Sequence, residues 1–249
     1  DGTLLEPGNC WHEDTAAAFD SVSDEDIDNE GRRLRHSRCG DSKIMSLATR
    51  LLLNTEINRL LPAQTEIMLR FNRAPTKQCL TAKVSETEYK IRILDAKLQT
   101  TRVKLFDSAH RECERLLASK GFFYPGTNPV VRTKTISAGD QNTDWTPFSG
   151  KLPQRIYIFQ ILQSAYNGAI NKNPFNFKSF NLHKVHVFKN GRALPSGQGL
   201  TQFAGDFTHM KTFLNTAMAI NSPETFNIEW ETFVYGYYIV AIDVSSDFS

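Results

Sequence analysis

The sequence predicts an all-β chain of the β-sandwich class with a short helix inserted. Three observations carry this expectation. Glu66–Phe71 and Tyr89–Ile93 alternate apolar and polar residues with the period of two that a half-buried strand requires. Two nearly continuous apolar runs, 154–162 and 232–244, read as strands covered on both faces. Seventeen phenylalanines in 249 residues supply bulk for a real core.

Residues 1–42 read as a long loop with a short helical turn at Ala16–Phe19. Ten of the chain's 27 acids fall within residues 1–30, where there is no Lys or Arg; the rest of the chain carries 29 basic against 17 acidic side chains. A basic body can sit near nucleic acid. The basic residues form no stripe, however, and read as solvated strand faces and loops, so nucleic acid is expected only as an indirect partner. The opening DGTLLEPGNC has neither a Met nor a basic-then-apolar leader and reads as a fragment or a processed product. No apolar run reaches the length of a bilayer span, so no membrane span is expected. Cys10, Cys39, Cys79 and Cys113 follow no regular frame and read as reduced intracellular thiols.

Residues 43–54 fit a buried strand or, on periodicity alone, a helix, and Pro62 marks the break after them. In 65–71, Ile67, Leu69 and Phe71 share one face. Along 88–105 the apolar parity changes from Tyr89, Ile91 and Ile93 to Leu94, Ala96 and Leu98. A two-residue period cannot change face without an extra residue, so a bulge or bend is expected near Ile93–Leu94. Asp107–Ser119 predicts a helix, with Asp107 as N-cap and Ala109, Cys113, Leu116 and Leu117 on one face, ended by Gly121. Pro129–Ile136 carries the β-branched Val131, Thr133 and Thr135 of a strand. Asp206–Met218 predicts a second short helix. The expected organisation is a loop region over 1–42, a first β unit over 43–138 that includes helix 107–119, and a second β unit over 139–249.

The densest pattern runs from Arg155 to Gly191. Pro174 fixes its own φ and pushes Asn173 toward extended geometry. Phe175 and Phe177, two apart, share a face in extended chain. Asn173 and Asn176 can close Asx turns. Asn173, Pro174, Phe175, Asn176 and Phe177 are therefore expected to form a rigid corner that drives two rings into a core. Val185 and Val187 make one face of a short strand, and Asn190-Gly191 supplies the positive-φ pair of a type I′ hairpin turn. These seven residues are structural candidates; none of them is read as catalytic, metal-binding or cofactor-binding.

Ligand-bearing patterns elsewhere are weaker. Cys10 with His12, and His36 with Cys39, offer four soft ligands, but neither pair has the two-Cys knuckle spacing of a zinc site and both read as incidental. His183 and His186 fall on opposite faces of a strand. Asp14, Asp24, Asp26 and Asp28 lack the Gly and terminal Glu of a calcium loop and read as a solvated acidic loop. There is no phosphate-binding loop and no nucleophile elbow.

Several of these elements recur together in one known family. Gly150-Lys151-Leu152-Pro153-Gln154-Arg155 looks like a G-x-L-P-x-R run, Ala165-Tyr166-Asn167-Gly168 like an A-[FY]-N-G turn, and Asn173–Lys178 like N-P-F-N-F-K. Ile93-Leu94-Asp95-Ala96 is similar to an I-L-D-A strand, and Gly236-Tyr237 with Ala241–Val244 to a G-Y…F-D-L strand. Together these segments resemble the major capsid proteins of Polinton (Maverick) transposable elements and adintovirus-like viruses. The resemblance implies a double jelly roll, of which 43–138 is the latter part of the first roll and 139–249 the early part of the second. It implies a structural, non-enzymatic protein without a cofactor. Such a subunit forms homotrimeric capsomers of an icosahedral shell around packaged DNA and meets a penton-type minor capsid protein. The expected location is the virion, or the nucleus or cytoplasm for an integrated copy. Asn215–Met218 departs from the S-G-T-G loop the family implies there. The alternatives are a host-adopted, non-capsid β-sandwich binding protein and a β-sandwich enzyme.

Overall fold

The structure, a computed structural model, describes residues 12–22, 28–39, 61–62, 65–82, 89–124, 128–194, 200–201, 209–220 and 228–244. The predicted element over 43–54 and residues Cys10, Asp24 and Asp26 lie outside the described residues. The chain divides into two units: Asp1–Ala48, Ala74–Glu88 and Thr135–Ser249 form the first, Thr49–Arg73 and Tyr89–Lys134 the second.

In the first unit, helix α1 covers Glu30–Cys39 and α2 covers Thr76–Cys79. Strand β1 (Arg155–Phe159) pairs antiparallel with β6 (Ile239–Asp243), from Arg155 opposite Asp243 to Phe159 opposite Ile239. Between them come α4 (Gln163–Tyr166), β2 (Lys184–Val185), β3 (Val187–Lys189), β4 (Arg192–Leu194), β5 (Leu200–Thr201), α5 (Met210–Ala219) and α6 (Trp230–Tyr235). Strands β2 and β5 pair, as do β3 and β4. The core gathers Leu200, Phe233, Tyr238, Val240, Ile242 and Val244, with Ile156 and Ile158 of β1 packed against it. Tyr157 and Phe159 alternate outward and are half exposed. The run 154–162 is therefore a shorter strand than expected, open on one face.

The second unit holds α3 (Asp107–Ser119), flanked among the described residues by chain in neither helix nor strand. Helix α3 has the predicted bounds. Its N-cap is Phe106, and Asp107 stands in the first turn, where its charge favours the positive end of the helix. Gly121 ends it at φ +70, donating to the Leu117 carbonyl at 3.2 Å. The expected apolar face is only partly covered: Cys113 and Leu116 are half-buried and no residue of α3 is fully buried.

The all-β expectation fails, and with it the jelly-roll sandwich and the partial double jelly roll. Among the described residues the strands make three separate two-stranded sheets, beside six helices. Segments 65–71, 89–105 and 129–136 form no strand ladder and no helix. Their alternating side chains are largely in solvent, with Met68 79% exposed, Phe71 73%, Ile93 65% and Val131 74%. A period of two says which faces a strand would have; it does not supply the neighbour whose N–H and C=O groups make it a strand. In 232–244 the first four residues belong to helix α6 and only Ile239–Asp243 is a strand. Short apolar runs fit a buried helix as well as a buried strand.

Candidate functional site

The described polar chemistry concentrates where the N-terminal arm meets the Asn173–Phe177 corner. The corner forms as its residues dictate. The Phe175 amide donates to Asn173 Oδ1 at 2.9 Å, closing an Asx turn, and the Asn176 amide donates to the Asn173 carbonyl at 3.2 Å. Phe177 forms a parallel bridge with Tyr237, donating to the Gly236 carbonyl at 2.8 Å, and its ring lies 4.5 Å from that of Phe159. Only one of the two rings turns inward: Phe175 is 62% exposed. The turn rotates the chain between them, so the i, i+2 rule for extended backbone does not apply. Asn176, 6% exposed, is the buried member.

The arm is folded around Asn29, which is 2% exposed. Its Nδ2 donates to Asp14 Oδ1 at 2.9 Å and to the Ala18 carbonyl at 3.0 Å. Its Oδ1 accepts from the Arg32 amide at 3.1 Å, capping α1, and from the Thr15 amide at 3.3 Å. Gly31 is there for close approach, since a Cβ would stand 1.7 Å from the Glu13 carbonyl oxygen. Arg35 donates to Asp14 and to the His12 carbonyl.

Two carboxylates and one ring join arm to corner. Asp20 accepts from the Asn173 amide at 2.9 Å and from Asn176 Nδ2 at 2.9 Å. Asp14 Oδ2 accepts from Asn173 Nδ2 at 3.2 Å. The Lys172 and Lys178 ammoniums stand 3.8 and 3.6 Å from Asp20 Oδ2, partly in solvent, where ion pairs contribute little. Phe19 is 3% exposed and meets Tyr237 edge-on at 5.0 Å. Asp14 is thus not part of a solvated acidic loop. The sequence signal that this segment docks is Phe19, an apolar ring set among acids.

A second polar cluster lies on α5, where Thr212 and Thr216 are fully buried. Thr216 Oγ1 donates to the Ile239 carbonyl at 2.7 Å and Asn215 Nδ2 to the Ala241 carbonyl at 2.6 Å. The Tyr238 hydroxyl lies 3.1 Å from His209 Nδ1 and 3.3 Å from Thr212 Oγ1. Burial holds His209 below the ordinary histidine range, with His183 nearby adding to the effect, and burial pushes Tyr238 up. Asn215–Met218 is helix here, not a loop.

Asn190 and Gly191 adopt φ +51 and +80 and join β3 to β4 with Lys189 opposite Arg192, as a type I′ turn requires. His186 stacks on Phe188 at 5.7 Å, two residues along the strand region. No group of three or more His, Cys, Asp or Glu among the described residues is placed to hold a metal ion. No described helix is long and apolar enough to cross a membrane.

No protein-family profile matches the chain, and no solved structure matches it. The chain is similar to a Caenorhabditis elegans protein named uncharacterized protein F54H12.2, with 28% identity over 112 residues, 44% of this chain. The matched stretch spans 27% of that relative's length.

Proposed function

We propose that this chain is part of a structural, non-enzymatic subunit that builds a shell by self-association, of the Polinton or adintovirus-like capsid kind. The observation that carries the reading is the set of large apolar side chains that the second unit leaves in solvent. Phe106 is 86% exposed, Phe123 78%, Val131 74% and Phe71 73%. Exposed aromatic side chains are enriched at protein–protein interfaces, and such side chains in number are what a self-associating subunit needs to bury. The motif series from Gly150 to Gly191 supports the particular family. The reading keeps the assembling role and drops the jelly-roll scaffold. It requires no cofactor, and it places the subunit in a virion or inside the cell that carries an integrated copy. A homotrimer is the expected unit, with a penton-type protein as second partner.

Size-exclusion chromatography with light scattering, followed by electron microscopy, tests this. Concentration-dependent trimers or particles are expected. A monomer at every concentration that held a tight ligand would replace this reading with the host-adopted binding protein.

A further inference from the structure

We infer that the Asn173–Phe177 corner, with Gly236 and Tyr237, is a recognition site for an acidic–aromatic peptide, and that the chain's own Asp14–Asp20 segment is its resident ligand. The site has the parts such recognition needs. The Asn173 amide and the Asn176 side-chain amide converge on one carboxylate, Asp20, while Asn173 Nδ2 takes a second, Asp14. Backbone and side-chain amides on a carboxylate make charge-assisted bonds, stronger than neutral ones. Beside them Gly236 opens a slot for the ring. A Cβ at that position would stand 2.2 Å from Phe19 Cε2, so only glycine lets the ring in.

The ligand is equally well defined. The arm takes its shape from Asn29, Thr15 and Arg32, all within itself, through bonds that do not involve the corner. Its attachments to the corner include one ring and two carboxylates, the side-chain pattern of a docked peptide. The preferred ligand is therefore a phenylalanine followed directly by a carboxylate, with a second carboxylate upstream. This inference stands apart from the assembly reading.

The test uses the full chain carrying Phe19→Ala and a fluorescent synthetic peptide of residues 12–39. Anisotropy should show saturable one-to-one binding. The unaltered chain should bind more weakly, because its own segment competes at high effective concentration. A peptide carrying Asp20→Asn should bind about tenfold more weakly, and adding Gly236→Ala to the chain should remove binding. A folded Phe19→Ala chain that ignores the peptide overturns the inference, as does equal binding of the Asp20→Asn peptide. If Phe19→Ala does not fold, Phe19→Leu is held to the same criterion. A chain that folds with neither substitution also overturns it, because the segment is then core and not ligand.

Discussion

The hydroxyl of Thr216 lies 3.2 Å from the amide nitrogen of Ala241 and accepts its hydrogen bond. Through this contact a helix does what a neighbouring strand would do. The same hydroxyl donates to the Ile239 carbonyl, and Asn215 donates to the Ala241 carbonyl. On the side of β6 turned away from β1, the Ile239 carbonyl and both backbone groups of Ala241 are thereby satisfied by side chains. Sheet edges left open template pairing with other chains, and here side chains occupy the middle of one edge.

Thr216→Val should remove this closure while keeping the shape. It leaves a buried N–H and a buried C=O without their partner, each costing about 1–3 kcal/mol. Urea unfolding should show a loss of about 2 kcal/mol or more, whereas Thr216→Ser should lose much less. Equal losses for the two variants would mean that the methyl group, not the hydroxyl, matters.

The two rings of the corner should separate in a stability measurement. Phe177→Ala removes a partly buried ring packed on Phe159 and should cost about 2 kcal/mol, below the 3–5 expected for full burial. Phe175→Ala, at a residue 62% exposed, should stay within about 0.5 kcal/mol.

Acidification should weaken the first unit through His209. Burial depresses its folded-state pKa below the ordinary histidine value of 6.5, so the unfolded chain takes up the proton first. Stability is then fully present above the unfolded pKa and falls as the pH drops through the folded one. Denaturant midpoints should be flat at higher pH and decline below about 6.5, and His209→Gln should flatten that part of the profile. An unchanged slope in the variant would assign the acid sensitivity to other groups.

Gly191→Val should strain the β3–β4 turn. A β-branched residue at φ +80 costs about 1–2 kcal/mol, read as a lower thermal midpoint. Replacing Asn190-Gly191 with Val-Val should cost more, since both positions lie at positive φ.

What could be read from the sequence was local. Helix 107–119 follows from its own periodicity and its stop at Gly121. The Asn190-Gly191 turn and the Asx closure at Asn173 follow from residue types acting within a few positions. The failures are long-range. TEIMLRF has the alternation of a strand, but pairing depends on a partner that its own letters do not specify. Asp14 reads as a solvated acid because one of its amide donors, Asn173, lies far along the chain. Helix α1 was hidden by its charge. It has almost no apolar face, and its cap comes from Asn29, whose bonds close only when the arm folds back on itself.

Gly236 and Phe19 occupy a single volume. No side chain can be added at one position without vacating the other, so the two are constrained as a pair and not singly. Over time a larger residue at 236 is tolerable only beside a smaller one at 19. Restoring Phe19 in such a background would then be harmful, although each residue is ordinary in its own right. The history of the arm is in this way tied to that of the strand region it touches, and neither can drift alone.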